Sequence, residues 1–171
     1  MHNQAGGAVE PRSPPTALYE DKMKQKYLFD DPHWEIESVR DLQPFFGALI
    51  HLVPEGAILC LGDGDPDETI LSFFHQQASS EPERIPLIEF MKGQYLPINK
   101  ENIKELEDLA ASYAAPEIAT HIAVSDQNRQ ILEWFDAPFD PITISLEVPE
   151  DNVKKFCNEL GVKYKKVKAE Q

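Results

Sequence analysis

Two glycines and three aspartates follow an apolar segment in the sequence CLGDGDPDE, residues 60–68, and a predicted helix comes directly after them. Glycine lets a backbone approach a ligand closely, and carboxylates bind cations. Residues of these types in this order could hold a cofactor, hold a metal ion, or form a turn. The three interpretations use the same side chains in different ways.

The first interpretation is a cofactor loop of the dinucleotide or S-adenosylmethionine type. A predicted strand, then Gly62 and Gly64, then a helix follow the order that such loops need. Glu89 lies 25 residues after Gly64, about where an acidic residue binds the ribose. The segment resembles the first motif of S-adenosylmethionine-dependent methyltransferases. However, Pro66 stands where that motif has its third glycine, and the aspartates would repel a pyrophosphate.

The second interpretation is a cation site. Asp63, Asp65 and Asp67 occupy the first three alternate positions of an EF-hand-like count. The count then requires a glycine and a final glutamate where the chain has Glu68 and Phe74, which excludes an EF-hand. Asp63 and Asp65 also form a D-x-D pattern typical of metal-dependent glycosyltransferases, but the chain is short for that fold. A weak surface cation site is what this interpretation leaves.

The third interpretation, which we favour, is a structural turn. Gly62 and Gly64 are predicted to take positive φ angles. Asp65 is predicted to cap a helix that has Pro66 in its first position and Glu68 completing a capping box. This interpretation explains each residue without a ligand, and we therefore assign neither a cofactor nor a metal.

A second possible grouping is His121 with Asp136 and Asp140, which come together only if the neighbouring strands pair as predicted. A histidine among carboxylates can transfer protons or bind a metal. No H-E-x-x-H or H-x-H spacing supports this grouping, and the sequence contains neither a G-x-S-x-G nor a P-loop pattern. The sequence therefore identifies no catalytic residue.

The composition limits the classes of function. The chain has 171 residues, a formal net charge of −14 and 42% hydrophobic residues, which is typical of one acidic globular domain. The charge argues against nucleic-acid binding, because phosphate contacts need lysine and arginine. It fits a surface that attracts a basic partner.

The sequence predicts a cytoplasmic protein. Its two cysteines, Cys60 and Cys157, have no metal-ligand spacing and indicate no disulfide framework. No apolar run reaches the roughly 18 residues needed to span a bilayer, and the N-terminus has no apolar signal region. We expect no membrane association.

Residues 1–17 are predicted to be a mobile tail, and residues 18–171 a single domain. Ser38 is a predicted cap, Asn99 is another, and Gly161 is a predicted helix end. Residues 129–137 fit either a helix or a strand, and we choose the strand. The predicted helices cover 38–53, 66–77, 100–114 and 149–160, and the predicted strands cover 57–61, 84–90, 94–98, 120–126, 129–137, 142–148 and 162–168.

These elements predict an α+β fold: one mixed sheet with a three-stranded antiparallel section and helices packed on it. Residues 94–98 contain a proline and residues 162–168 are rich in lysine. Both features are typical of edge strands.

Three phrases of the sequence resemble a family of small, uncharacterised bacterial proteins: VPEGAILCL, YLPINKENIKELEDLAASYAAPEIATHIAV and ILEWFDAPFDPITISLEVPED. The resemblance covers about residues 52–161. It implies a single cytoplasmic α+β domain and brings no established activity, cofactor or site residue.

Three hypotheses of function remain. The first, which we favour, is an acidic protein-binding module, for example an immunity or antitoxin-type protein that occludes a basic partner. The second is a small enzyme that depends on S-adenosylmethionine or a metal and uses the 62–68 loop. A domain without a small ligand that forms a homodimer through a strand edge is a further hypothesis.

Overall fold

The computed structural model describes residues 27–78, 93–126 and 129–168. The predicted tail 1–17, the predicted strand 84–90 and Glu89 lie outside these ranges.

The strands of the described ranges form one antiparallel sheet of seven, in the order β3-β2-β4-β5-β6-β1-β7. Their bounds are β1 His33–Ile36, β2 Ile58–Gly62, β3 Gly93–Pro97, β4 His121–Asp126, β5 Arg129–Trp134, β6 Ile142–Ser145 and β7 Tyr164–Val167. The predicted three-stranded antiparallel section is confirmed as β4, β5 and β6. Residues 129–134 are a strand, as we chose.

The prediction of a mixed sheet was wrong. Strand β2 lies between β3 and β4 and runs antiparallel to both. The chain therefore returns to β2 twice, first as β3 on one side and then as β4 on the other, and it runs antiparallel to β2 each time. Two strands that run the same way, β3 and β4, are separated by β2 and never pair.

The helices of the described ranges pack on the sheet, and several of them have a capping residue at one end. Asp41, Asp67 and Asn99 each accept backbone N–H groups at a helix start, and Gly161 ends the last helix with φ of 67°. The helices are α1 Leu42–Leu52, α2 Glu68–Gln77, α3 Lys100–Ser112, α4 Ala115–Ile118 and α5 Glu150–Leu160. The caps at Asn99 and Gly161 were predicted.

Two predicted caps were wrong. Helix α1 begins after Asp41 rather than Ser38, because the Asp41 carboxylate accepts the Gln43 N–H at 3.0 Å. Helix α2 begins after Asp67 rather than Asp65, since Asp67 accepts two N–H groups of the first turn.

Helix α1 lies between α3 and α5 and packs on the centre of the sheet. The Phe45 ring is fully buried, with its centroid 4.8 Å from that of Trp134 and 6.0 Å from that of Phe156. The Trp134 indole donates a hydrogen bond to the carbonyl of Asp140 at 2.7 Å. Aromatic packing therefore joins α1, α5 and β5, while the one polar atom of the buried indole is satisfied.

The other face of the sheet is more polar. Cross-strand pairing places one row of residues side by side on this face, from edge to edge: Tyr95, Cys60, Ala123, Glu133, Thr143, Glu35 and Lys165. A 3-10 turn, Leu28–Asp30, contacts β5 and β6. Tyr27, just before this turn, and Phe29, within it, are partly exposed.

Strand β1 was not predicted. Its sequence, HWEI, is only four residues long and contains a histidine and a glutamate. Those two side chains lie on the polar face, while Trp34 and Ile36 are buried on the helix face. Strand β7 is the lysine-containing edge that the sequence predicted.

Among the described helices, none is long and apolar enough to cross a lipid bilayer.

We expect Phe45→Ala to lower the free energy of unfolding by about 3–5 kcal/mol, because it leaves a cavity among three packed rings. Phe139→Ala is the matched control, since that ring is 75% exposed, and it should change stability by about 0.5 kcal/mol or less. Urea unfolding measures both values. Equal losses in the two variants would contradict the packing described for α1.

Candidate functional site

The 62–68 loop is tied to the chain's own backbone on both sides. The Asp65 N–H donates to the carbonyl of Pro116 at 2.9 Å, and the Thr120 hydroxyl donates to the carbonyl of Asp63 at 3.0 Å. The Thr120 N–H donates to the carbonyl of Gly62 at 3.0 Å. The loop therefore forms part of a packed contact with the segment between α4 and β4.

The glycines of the loop do not adopt the positive φ angles that were predicted. The residue with positive φ is Asp63, at 54°, a conformation that aspartate tolerates better than most residues. Gly64 is needed for a different reason, because a Cβ there would lie 2.5 Å from the carbonyl oxygen of Ile118. The close backbone approach expected for a cofactor is thus made by the chain's own α4.

Asp67 has a structural role in the same loop. Its carboxylate accepts the N–H groups of Ile70 and Thr69, at 3.0 and 2.9 Å. The bond from Ile70, above all, holds the pKa of the Asp67 carboxyl below its usual value. The predicted ligand Asp67 therefore already uses its carboxylate as the cap of α2.

The other predicted site residues do not form one centre. His121 Nδ1 lies 3.8 Å from Asp63 Oδ2 and 3.1 Å from the Thr120 hydroxyl. Asp136 and Asp140 act through their backbone carbonyls, which accept hydrogen bonds from Phe139 and Trp134. In the part of the chain that the structure describes, no three His, Cys, Asp or Glu side chains are placed to hold a metal ion. Glu89, the proposed ribose acid, lies outside the described residues.

The cysteines offer no evident nucleophile. Both Cys60 and Cys157 are buried. Burial, with a smaller contribution from Glu37, raises the pKa of the Cys157 thiol to about 11, so this side chain stays protonated near neutral pH.

A concave surface with a mixed apolar and charged lining lies between α1 and α3. This groove, which we call the α1/α3 groove, has a volume of about 540 Å³, within the range of small-molecule and side-chain binding sites. Its residues are mainly apolar at the floor and charged at the rim: Gly47, Ile50, Val53, Pro54, Glu55, Ile98, Asn99, Lys100, Ile103, Lys104, Glu107 and Glu159. The charges comprise three glutamates and two lysines, and Lys104 is already paired with Asp108 at 2.9 Å.

Two carboxylates meet above Gly47 in the middle of α1. A Cβ at Gly47 would lie 2.5 Å from Glu107 Oε1, which comes from α3, and 3.9 Å from Glu159 Oε1, which comes from α5. His51, one turn further along α1, contacts the second oxygen of Glu159. The absence of a side chain at Gly47 therefore creates the space in which the two glutamates converge.

The floor of this groove is held by backbone hydrogen bonds. The Gly56 N–H donates to the carbonyl of Ile98 at 2.8 Å, and the Ile98 N–H donates to Ala57 at 2.7 Å. At the start of α3, the Asn102 side chain is buried and donates to the carbonyl of Pro97 at 2.9 Å. These bonds join the segment before β2 and the start of α3 to the end of β3, at the floor of the groove.

Ile50 lines two neighbouring grooves. A second groove of about 340 Å³ lies at the end of α1 and is also lined by Ile50, Val53 and Pro54, together with Arg129 and Glu147. Ile50 is 52% exposed, although it belongs to a helix whose other large apolar residues are buried. Ile50 therefore adds apolar surface to the lining of both grooves.

Few local signals in the sequence indicate this site. Gly47 is a glycine inside an apolar helical pattern, which is the one local signal that a close approach occurs there. Glu107 and Glu159 are far apart in the chain and belong to different helices. Only the packing of α3 and α5 on either side of α1 brings them together.

No protein-family model matches this chain, and comparisons with curated proteins and with solved structures found no match either. The resemblance to a family of small bacterial proteins therefore stays a prediction.

We expect Gly64→Ala to destabilise the fold by about 1–3 kcal/mol without any ligand, because the new methyl group would overlap the Ile118 carbonyl. Asp65→Ala is the control: it keeps the backbone bond to Pro116 and removes only an exposed side chain, so about 0.5 kcal/mol or less is expected. Thermal unfolding of the purified variants measures both. Full stability of Gly64→Ala would reopen a ligand role for the loop.

Proposed function

We propose that this protein is an acidic binding module whose α1/α3 groove receives an apolar side chain and a neighbouring lysine or arginine of a basic protein partner. An immunity or antitoxin-type protein that occludes a basic toxin is the concrete form of this proposal. A cytoplasmic location belongs to it as well. The observation that carries the proposal is the convergence of Glu107 and Glu159 over Gly47, beside the exposed Ile50.

The groove supports this function through its mixed chemistry. An apolar floor can bury the stem of a lysine or arginine, which packs well on apolar surface while its charged end stays at the rim. Glu107 and Glu159 provide carboxylates at that rim. An arginine guanidinium can donate hydrogen bonds to both carboxylates, because its N–H groups form a fork suited to carboxylate oxygens.

The net charge supports the same class of partner. A formal charge of −14 attracts basic proteins over distances of about a Debye length, roughly 8–10 Å in physiological salt. Such attraction raises the association rate more than it sets the affinity. Contacts in the groove would then have to provide the specificity.

A homodimer through the β7 edge is less well supported. Pairing two copies of this strand would bring Lys165 and Lys166 of each copy close to those of the other, and like charges across an antiparallel pair are unfavourable. The enzyme hypothesis for the 62–68 loop has no observation in its favour among the described residues, because Gly64 and Asp67 already have structural roles.

The test compares tagged wild-type protein with two charge-matched double variants as baits in extracts of the source cell. Glu107→Gln/Glu159→Gln removes the carboxylates of the groove, and Glu68→Gln/Glu105→Gln removes two exposed carboxylates elsewhere. We expect the wild type and the second variant to recover the same basic protein. The groove variant should bind that purified partner at least about tenfold more weakly.

Binding kinetics then separate long-range electrostatic attraction from direct contacts in the groove. The association rate should fall steeply with salt for the wild type, while the groove variant should differ mainly in its dissociation rate. Equal affinity of the two double variants would contradict the assignment of the groove. An association rate that does not depend on salt would contradict a basic partner.

Gly47→Ala offers a second test that separates binding from stability. The new methyl group would displace the end of the flexible Glu107 side chain, which costs little, and alanine favours the helix by up to about 1 kcal/mol over glycine. We therefore expect unchanged or higher stability with weaker partner binding. A variant that binds the partner as tightly as the wild type would show that the position of Glu107 does not matter.

A further inference from the structure

A buried carboxyl group lies on the polar face of the sheet, away from the α1/α3 groove. Glu133 is 1% exposed, although it lies in the centre of β5 between Ala123 of β4 and Thr143 of β6. A glutamate is almost never fully buried unless it is paired. No lysine, arginine or histidine in the described ranges forms an ion pair with it.

The two oxygens of this carboxyl group have different surroundings. Oε2 accepts the N–H of Leu28, the first residue of the 3-10 turn, at 2.8 Å. Oε1 is buried and has no hydrogen-bond partner. Oε2 therefore joins the turn to the sheet. Oε1 has lost its contact with water without gaining a hydrogen bond, which is unfavourable above all when the carboxyl group is charged.

An aromatic cluster depends on the same turn. The rings of Tyr27 and Phe29 stack at 5.0 Å between centroids, and the edge of Phe135 lies against both, at 5.7 and 6.2 Å. Phe135 in turn contacts the His121 ring at 5.6 Å. Tyr27 and Phe29 are 42% and 48% exposed, so each side chain is only partly buried where the turn lies on the sheet.

We propose that Glu133 is a pH-sensitive latch, which holds the 3-10 turn Leu28–Asp30 and its aromatic neighbours on the sheet while it is neutral and releases them when it ionises. This role is independent of any basic partner, because the latch lies on the opposite face of the sheet from α1. Release would expose the Tyr27, Phe29 and Phe135 rings and admit water to Glu133.

The electrostatics agree with this geometry. Burial raises the pKa of Glu133 to about 7; the Leu28 N–H lowers it, and the nearby Asp30 raises it further. A raised pKa means that the closed arrangement binds the proton more tightly than an open one. The latch is therefore fully stable below about pH 4.5, the ordinary value, and its stability is lost as the pH rises through about 7.

Other titratable groups face this region from the neighbouring elements. The turn contributes Asp30, and Tyr27 and Asp31 flank it. Strand β1 contributes His33, whose Nδ1 lies 2.7 Å from the carbonyl of Asp31. It also contributes Glu35, whose carboxylate pairs with Lys165 of β7 at 2.9 Å. Strand β4 contributes His121, and β2 contributes Cys60. Of these, Asp30 is the group that acts on Glu133 by charge.

Hydrogen exchange at the Leu28 amide tests the proposal in the whole protein. Between pH 6 and pH 8, the fraction of open molecules should rise about tenfold beyond the intrinsic change in exchange rate, while the Phe46 amide in α1 stays protected. A titration of the Glu133 carboxyl carbon by NMR should show its midpoint in the same pH interval. Glu133→Gln should abolish the extra opening, and the exposed Glu105→Gln should leave it unchanged.

A second variant keeps the test decisive if Glu133→Gln does not fold. Asp30→Asn removes the charge that faces Glu133 but keeps an oxygen that can accept the Tyr27 N–H. Glu133 should then ionise at lower pH in the closed arrangement, so the midpoint of its titration should fall and the total rise in opening should be smaller than in the wild type. Opening of Leu28 that is independent of pH in the wild type, or an Asp30→Asn midpoint equal to the wild-type value, would overturn the latch.

Discussion

The burial of α1 against the centre of the antiparallel sheet is the constraint on which the rest of the structure depends. Phe45, Phe46, Ala48 and Leu49 are completely buried, so α1 is fixed in rotation as well as in position. This orientation turns Gly47 and Ile50 outward, and it lets α3 and α5 pack on both sides. The α1/α3 groove and the convergence of two glutamates follow from that packing.

The two faces of the sheet carry different kinds of side chain. The face under the helices is covered by closely packed apolar side chains, so most substitutions there lower the stability. The other face holds a row of mixed residues with Glu133 near its middle. A buried carboxyl without a charged partner opposes stability at neutral pH, and such a residue is better explained by a role in a transition than by packing.

Much of the fold could be predicted from local signals. The cap at Asn99 and the helix end at Gly161 are local signals, and both were identified, as were the three consecutive strands β4, β5 and β6. Strand β1 was missed because four residues are too few for a periodic pattern, and its stability comes from pairing with β6 and β7. The antiparallel order around β2 depends on how the connections return, which no local pattern encodes.

The candidate site was harder to predict for the same physical reason. The 62–68 loop attracted attention because its residue types suit ligands, but the structure uses Gly64 to admit the Ile118 carbonyl and Asp67 to cap α2. The groove depends on Glu107 and Glu159, which only tertiary packing brings to Gly47. Residue type at a single position is thus a weak guide when the chain's own backbone can satisfy it.

The most direct measurement is an NMR map of the isotope-labelled protein with the basic partner that it recovers from its source cell. We expect the shifted amides to concentrate along Gly47–Val53, Lys100–Glu107 and around Glu159. Shifts concentrated in the 62–68 loop, with the amides of α1 unchanged, would contradict the assignment of the groove as the binding site.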